Sequence, residues 1–358
     1  MRTEIQYLHD EIVAANLRAR ASSISRRKRS GGSEPAASWV VTERIHENMG
    51  RALSVVLSTL GCSHARAEGG GCTMCSYLLD GSNTAVDADS LVSQFRSAMS
   101  RLAGVSAPIR VKVYTSGSFL DVNEVPLEAR IAILREIAAD PRITDVVLES
   151  RPQFVDDESM YQIREILGKR RVEIGIGLES FSDVVRQVCV NKAFSLRDFE
   201  SSVETTSRHG IGVRAYVLLK PPFITERDAL RDSIRTIVRA AELGVTTVSL
   251  NPVNVQRSTL VEELWQRGAY RPPWLWTVVE VLRSSRTECA RDTMIVCDPV
   301  AAGTSRGPHN CGRCDSSVTD AIRLFSLEQD LSHLTRLGCS CNAVWQRSLQ
   351  SGDLTMLV

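Results

Sequence analysis

The sequence predicts an α/β protein: a partial (β/α)6 barrel, preceded by a helical extension and followed by a cysteine-rich module. Two observations predict this class. Short β-branched runs alternate regularly with helical patterns, and the runs end in glycine or polar residues. Because short, apolar runs are typical of strands buried on both faces, we expect a parallel sheet. In barrels of this kind the active site lies at the carboxyl ends of the strands.

Six strand–helix repeats fit into the middle of the chain. The predicted strands are 53–59, 110–116, 144–149, 172–178, 213–219 and 246–251. The predicted helices are 88–102, 126–139, 157–169, 196–209 and 227–243. Glycine follows two of them, at His209-Gly210 and Leu243-Gly244, as is common at helix ends. We therefore expect three regions: 1–48 (helix and basic linker), 49–255 (barrel) and 256–358 (cysteine-rich module).

Composition restricts the partners only weakly. The 358 residues carry 43 basic and 42 acidic side chains, a net charge of +1, which neither demands nor excludes nucleic acid. The basic run Arg26, Arg27, Lys28 and Arg29 in the linker is typical of a solvated segment, with phosphate binding as the alternative. Since no apolar stretch reaches about 18 residues, no membrane span is expected. Ten cysteines without a secretion signal predict a cytoplasmic protein with free or metal-bound thiols.

Three cysteines follow the first predicted strand. Cys62, Cys72 and Cys75 have the spacing C-x9-C-x2-C. Three thiolates can hold three irons of a 4Fe–4S cubane and leave the fourth iron open to bind and reduce a small molecule. This indicates radical generation from S-adenosylmethionine. The usual spacing in such enzymes is C-x3-C-x2-C, so two alternatives stay open: a disulfide with a free thiol, and a zinc knuckle completed by His64 or a distant cysteine.

Glycines and polar residues also follow the other strands. They are Gly117 and Ser118 after strand two, Glu149 and Arg151 after strand three, Glu179 after strand four, Lys220 after strand five, and Asn251 with Gln256 after strand six. Each has an ordinary explanation, such as a structural ion pair or a glycine that relieves crowding in the barrel. Because the carboxyl ends of parallel strands meet at one edge, we expect these residues to form one active site with the cysteine loop.

A second group of cysteines lies in the tail. Cys311 and Cys314 form C-x2-C, and Cys339 and Cys341 form C-x-C beyond one predicted helix, 316–331. Thiolates from two loops can meet across a helix, which predicts a metal centre, with His309 or Cys297 as further ligands. Four thiolates suit zinc, whereas three with His309 or an open iron suit a second iron–sulfur cluster. The surplus of ligands favours the cluster; buried free cysteines are the alternative.

The motifs GGGCTMCSY, ESRPQFV, IGIGLES, LLKPPF and RGPHNCGRCD…AIRLFSLEQD…CSCNAVW occur in this order. Over about residues 40–347 the sequence resembles radical S-adenosylmethionine proteins related to the archaeosine-forming tRNA enzyme, and more distantly the elongator catalytic subunit. The resemblance implies hydrogen abstraction by a 5′-deoxyadenosyl radical, with a 4Fe–4S cluster on the three loop cysteines. It also implies S-adenosylmethionine binding around Gly117, Glu149, Arg151 and Glu179. The archaeosine enzyme cleaves a carbon–nitrogen bond of a lysine-bearing deazaguanosine in tRNA.

Within that site, Arg151 is the best candidate to bind the methionine carboxylate, because a guanidinium can donate two parallel hydrogen bonds. Glu179 is expected to accept hydrogen bonds from the ribose hydroxyls or the methionine ammonium, with Ser118 and Glu149 nearby. Lys220 contacts substrate or forms a structural ion pair. Reduction of the cluster requires an electron donor such as flavodoxin or ferredoxin.

For the substrate, the sequence favours a small nucleoside of natural-product biosynthesis over tRNA. Three features support this: the near-neutral charge, an arginine-dominated composition typical of a mesophile, and Ser76 where glycine is expected after the third cysteine. The tail cluster would then donate sulfur, making the enzyme a lyase or a sulfur or group transferase. Archaeosine-type tRNA modification is the alternative. An RNA-binding module and a zinc-dependent hydrolase are disfavoured, because aromatic residues are scarce and only His64 lies near the first cysteines.

Overall fold

The centre of the molecule is an eight-stranded sheet, seen in a computed structural model that describes residues 4–24 and 32–350. Its order is β1 to β8 in chain sequence, and it curls into a half-barrel. The strands are β1 (Ala37–Ile45), β2 (Asn48–Val56), β3 (Ile109–Tyr114), β4 (Ile143–Glu149), β5 (Arg171–Glu179), β6 (Gly212–Leu219), β7 (Thr247–Pro252) and β8 (Met294–Val296). In this described sheet β1 pairs with β2 antiparallel, and each later pair of neighbouring strands is parallel. The predicted partial barrel is confirmed.

Helices connect these strands on the outside of the barrel and continue into the tail. They are α1 (Glu4–Ile24), α2 (Ser63–Arg66), α3 (Ala88–Met99), α4 (Leu127–Ala139), α5 (Asp157–Leu167), α6 (Leu196–Arg208), α7 (Glu226–Glu242), α8 (Leu260–Gln266), α9 (Leu275–Glu288), α10 (Asp315–Glu328), α11 (Ser332–Thr335) and α12 (Asn342–Ser348). Several begin at a side chain that accepts a backbone N–H, for example Asp87 before α3 and Ser195 before α6. Such caps satisfy amides that the first helical turn leaves unpaired.

Two strands of the sheet lie outside the predicted barrel segment. β1 forms a hairpin with β2 through a tight turn in which His46 has a φ of 56°. β8 is only three residues long and adds in parallel to β7. A strand that short has no readable alternation, and β1 follows a linker-like composition. The sheet therefore extends at both edges into the segments 1–48 and 256–358.

The two faces of the half-barrel differ in polarity. On β5, Val172, Ile174, Ile176 and Leu178 belong to the apolar core against the helices. The alternate residues, from Glu173 to Glu179, point into the barrel, because successive side chains of a strand face opposite ways. The strands are thus less uniformly apolar than expected. The inner face carries the polar residues that define the barrel interior.

A charged layer closes the interior near the amino ends of the strands. Glu173 on β5 pairs with Arg214 on β6 at 3.1 Å and accepts hydrogen bonds from Thr246 and Thr247. Burial opposes ionisation of Glu173, but Arg214 and Arg110 outweigh it and lower its pKa to about 2. With this end filled by paired charges, the opposite end, called the mouth below, is the open end of the barrel.

Helix α1 confirms the predicted N-terminal helix, and it packs on the helical segment Val185–Cys189 after β5 and on α8. The basic run Arg26–Arg29 lies outside the described residues. Among the helices of 4–24 and 32–350, none combines the length and the apolar character that a bilayer-spanning segment needs.

Candidate functional site at the barrel mouth

The cysteine loop begins directly beyond β2 and passes over the mouth. Cys62 precedes the short helix α2, and Cys72 and Cys75 follow a glycine-rich turn. The loop contacts the end of β3 at Gly117, where a side-chain Cβ would collide with the Cα of Cys62. A glycine is needed at Gly117 because only a residue without a side chain permits this approach.

Helix α1 holds the loop from outside. The guanidinium of Arg20 donates hydrogen bonds to the carbonyl oxygens of Cys72 and Cys75, the latter at 2.6 Å. Asn16 donates to the carbonyls of Gly70 and Gly71 at 3.2 and 2.9 Å. Both side chains are almost fully buried. The N-terminal helix is therefore part of the site, a role that its sequence pattern did not predict.

The segment after β5 holds the loop from the other side. Asn191, with a φ of 58°, donates to the carbonyls of Gly69 and Gly71, both at 2.8 Å. The Thr73 hydroxyl donates a hydrogen bond to the Cys189 carbonyl, and the Thr73 amide donates one to the Val190 carbonyl. The ring of His64 contacts the Asn191 carbonyl at 2.6 Å. These contacts fix the backbone of the loop on both sides of its second cysteine, Cys72.

The loop thiols lie among cations. Burial opposes ionisation of Cys72, but Lys192, His64 and Arg151 outweigh it and lower the pKa of its thiol to about 7. Burial and the neighbouring Cys72 raise the pKa of Cys75 to about 12. The site therefore favours ionisation of the Cys72 thiol and disfavours ionisation of the Cys75 thiol, unless further positive charge is present.

Arg151 and Ser118 meet at the ends of β3 and β4. The Ser118 hydroxyl accepts a hydrogen bond from the backbone amide of Arg151 at 3.0 Å. The Arg151 guanidinium donates a hydrogen bond to the Lys192 carbonyl at 3.0 Å. The Arg151 Nε is buried and has no hydrogen-bond partner among the described residues. A buried guanidinium with an unused donor is suited to bind an anionic group.

Glu124 joins the first two strand ends and was missed by the sequence reasoning. Its carboxylate accepts from the Thr59 hydroxyl at 2.6 Å and from the Ser118 amide at 2.7 Å. Burial raises its pKa. No spacing in the sequence marks it, because Thr59 and Glu124 lie 65 residues apart.

Glu179, at the end of β5, has a φ of 62° and pairs with Lys192 at 2.6 Å. A side chain at Gly177 would collide with that lysine. Lys192 was also missed, although one signal was available. The chain has five lysines against 38 arginines. Lys112 and Lys220 are buried and Lys192 is half-buried, whereas Lys169 is exposed, so a rare lysine is only a weak sign of an interior position.

Glu149 lies at the end of β4. Burial raises its pKa to about 8, and the Lys192 charge only partly offsets that rise. Because this value lies above 7, burial favours the protonated form of Glu149 at neutral pH. A protonated carboxyl can donate a hydrogen bond as well as accept one.

Lys220, at the end of β6, forms a buried ion pair with Glu226 of α7 at 2.7 Å. Its carbonyl accepts a hydrogen bond from Tyr270. The structure therefore shows Lys220 in the structural ion pair, and a contact between Lys220 and substrate stays a prediction.

Ser76 connects the cysteine loop to the segment after β7. Its backbone amide donates a hydrogen bond to the side-chain oxygen of Gln256 at 2.7 Å, and its hydroxyl lies 3.1 Å from the same oxygen. That pair connects the third cysteine to the segment after β7.

The tail brings its four cysteines together. The ligand atoms of Cys311, Cys314, Cys339 and Cys341 all lie within 4.8 Å of one another. Among the described residues, no other group of three or more His, Cys, Asp or Glu is gathered so closely. The three loop cysteines therefore do not form such a group. His309 and Cys297 do not belong to the group; the His309 ring contacts the Gly307 carbonyl. The expected second metal-binding site is thus a four-thiol group.

The curled sheet, with a three-cysteine loop at its mouth and a tail of four gathered cysteines, defines a radical S-adenosylmethionine enzyme. No family model matches the chain. It is 42% identical over 328 residues to the archaeosine synthase subunit beta of Methanosarcina acetivorans, covering 92% of this chain and 93% of the relative. It is 36% identical to the Thermococcus kodakarensis protein of the same name, covering 88% and 97%. The chain belongs to the archaeosine synthase subunit beta family.

Among solved structures, the archaeal Methanocaldococcus infernus Elp3 with an N-terminal deletion is similar at 15% identity and a TM-score of 0.49. It covers 66% of this chain and 59% of that one.

Proposed function

We propose that this enzyme modifies tRNA in the manner of its archaeosine synthase relatives, acting on a lysine-bearing deazaguanosine and cleaving a carbon–nitrogen bond. The observation that carries this proposal is the 42% identity across 93% of a relative named archaeosine synthase subunit beta. The small biosynthetic nucleoside that the sequence favoured finds no support among these relatives. Their naming as a subunit also supports a partner chain for this one.

The loop residues fit a 4Fe–4S cluster on Cys62, Cys72 and Cys75. The three thiols are buried or half-buried, and the cations Lys192 and Arg151 favour the thiolate of Cys72. Gly117 leaves room for the loop to approach β3. Two segments, α1 and the turn after β5, hold the loop backbone. A tightly held loop over the barrel mouth helps to exclude water, which a radical reaction requires.

The strand ends fit S-adenosylmethionine. The unpartnered Arg151 Nε supports binding of the methionine carboxylate. One carboxylate oxygen of Glu179 accepts a hydrogen bond from Lys192. The other oxygen can accept one from the methionine ammonium or the ribose hydroxyls of S-adenosylmethionine. Protonated Glu149 and buried Ser118 can complete the polar wall of the pocket. When bound, the cluster and S-adenosylmethionine supply hydrogen abstraction by a 5′-deoxyadenosyl radical, with electrons from a donor such as flavodoxin or ferredoxin.

The test is to reconstitute the enzyme anaerobically and offer it either tRNA carrying the lysine-bearing base or the same base as a free nucleoside. The expected result is release of 5′-deoxyadenosine only with tRNA, together with loss of the lysine-bearing base by mass spectrometry. Binding of tRNA should weaken steeply with salt, because neutralised phosphates release counterions. Turnover of the free nucleoside with tRNA ignored would overturn the proposal. The matched control is the enzyme with all three loop cysteines changed to alanine.

A further inference from the structure

The four tail sulfurs are spaced like the corners of a small tetrahedron. The Sγ atoms of Cys311 and Cys314 lie 4.0 Å apart, those of Cys311 and Cys339 3.7 Å, and those of Cys314 and Cys341 3.6 Å. Zinc–thiolate bonds of about 2.3 Å in tetrahedral geometry give sulfur–sulfur distances of about 3.8 Å. The observed spacing therefore matches four thiolates on a single ion.

A cubane needs a wider arrangement. Its four thiolates bind four different irons, so the sulfurs point outward from the cluster and stand farther apart than ligands of one ion. The loop cysteines, which are not gathered within 4.8 Å of one another, differ from the tail set in this respect. The tail spacing thus argues against the second iron–sulfur cluster that the surplus of ligands had favoured.

The polypeptide around the tail sulfurs is built for a closed site. Cys311 and Cys314 lie on either side of Gly312, whose φ of 85° makes the tight turn between them. The indole N–H of Trp276 donates to the Cys341 sulfur at 3.2 Å, and the Asn310 amide donates to the Cys314 sulfur at 3.4 Å. Donors to sulfur stabilise thiolate charge, and four filled positions leave none open for substrate.

A buried chain of contacts leads from this group to the barrel mouth. Cys341 immediately precedes α12, and Trp345 of that helix donates its indole N–H to the Thr277 hydroxyl at 2.8 Å. Thr277 in turn donates to Glu226 at 2.5 Å, and Glu226 pairs with Lys220 at the end of β6. A ligand that holds Cys341 in place therefore also holds the Trp345–Thr277 and Thr277–Glu226 hydrogen bonds in place.

We propose that Cys311, Cys314, Cys339 and Cys341 bind one structural zinc ion, which attaches the tail to the mouth through Trp276, Trp345 and the Glu226–Lys220 pair. The ion takes no part in the radical chemistry and donates no sulfur. Because the loop and tail sites use separate cysteines, the tail metal can be measured with the loop site removed.

The decisive measurement is the metal content of the enzyme with Cys62, Cys72 and Cys75 all changed to alanine. Zinc at about one ion per chain without iron or sulfide is expected. Replacement by cobalt(II) should give the visible absorption of a tetrahedral thiolate site. Iron with sulfide, iron alone or no metal at all would each overturn the proposal. This result is independent of whether tRNA is the substrate.

A matched pair of variants tests the attachment in the otherwise native chain. Cys311→Ser removes the exposed ligand and should lower both the zinc content and the temperature of unfolding, and shift tryptophan emission to the red. Cys289→Ser changes a half-buried cysteine outside the group and should alter none of these. Full zinc retention in Cys311→Ser, or equal zinc loss in both variants, would contradict the assignment. If Cys311→Ser does not fold, the metal content of the triple variant decides.

Discussion

The two cysteine groups of this protein are held in opposite ways. The loop group depends on distant elements: Arg20 and Asn16 come from α1, and Asn191 comes from the segment after β5. The tail group is gathered by two short turns of its own, at Cys311–Cys314 and Cys339–Cys341. The loop backbone is thus held by residues from elsewhere in the chain, whereas the tail sulfurs lie together at two local turns.

The charges around the two groups differ as well. At the loop, full cations of Lys192 and Arg151 favour the Cys72 thiolate against its burial. In the tail, the Arg313 amide is the largest influence on the exposed Cys311 and lowers the pKa of its thiol to about 6. Burial raises the pKa of Cys341. The thiol whose ionisation is favoured is thus buried at the loop and exposed in the tail.

The largest effect should come from removing the loop thiols. With Cys62, Cys72 and Cys75 changed to alanine, reductive cleavage of S-adenosylmethionine to methionine and 5′-deoxyadenosine should be abolished, because the cluster has no ligands. Chromatographic detection of 5′-deoxyadenosine under anaerobic reduction measures this. Cys289→Ala is the control and should retain cleavage. Cleavage that persists in the triple variant would remove the loop from the chemistry.

Arg151 should give the next largest effect. Arg151→Ala removes charge-assisted hydrogen bonds worth about 1.5–3 kcal/mol to the methionine carboxylate. Binding of S-adenosylmethionine should weaken by roughly tenfold to a hundredfold, since about 1.4 kcal/mol is a factor of ten. Calorimetry on the anaerobic protein measures the affinity, and Arg323→Ala, which breaks an exposed ion pair with Asp298, is the control. Unchanged affinity in Arg151→Ala would exclude this role.

Arg20 tests the external support of the loop. Arg20→Met keeps most of the buried stem but leaves the carbonyls of Cys72 and Cys75 without this donor. The expected loss in unfolding free energy is about 1–3 kcal/mol, with less iron bound after reconstitution and unchanged tail zinc. Arg18→Ala, an exposed position on the same helix, is the matched control. If Arg20→Met kept full iron and stability, the loop would be self-supporting like the tail.

Ser76 should give the smallest effect. Ser76→Gly removes the hydroxyl near Gln256 but keeps the stronger backbone contact, so the loss is about 0.5–1.5 kcal/mol at most. Choice between tRNA and free nucleoside should stay as in the native enzyme. Thermal unfolding and the 5′-deoxyadenosine assay with both substrates measure this, with Gln256→Ala removing both contacts for comparison. A switch of substrate in Ser76→Gly would instead support the prediction that this serine is associated with a free-nucleoside substrate.

Much of the barrel could be read from local patterns. Most predicted strands and helices agree with the observed ones to within about three residues, as for 157–169 against Asp157–Leu167, whereas the first strand, predicted at 53–59, is observed at Asn48–Val56. The strands at the sheet edges were missed, because β8 is too short to show alternation. The cysteine spacings left alternatives open, and the resemblance carried by all the motifs in order identified the radical chemistry. Composition and Ser76 pointed to a free nucleoside that the relatives do not support.

The sequence by itself determined the barrel through its alternating strand and helix patterns, and it determined the cysteine motifs of the loop and the tail through spacings within short segments. Only the tertiary structure decided which residues complete them. Arg20 lies 52 residues before Cys72, and Asn191 lies 122 residues beyond Gly69, so no local pattern connects these pairs. The distances between the tail sulfurs likewise depend on how two loops meet across α10. Spacing along the chain gives the number of ligands, and only folding gives the separation that selects a single ion or a cluster.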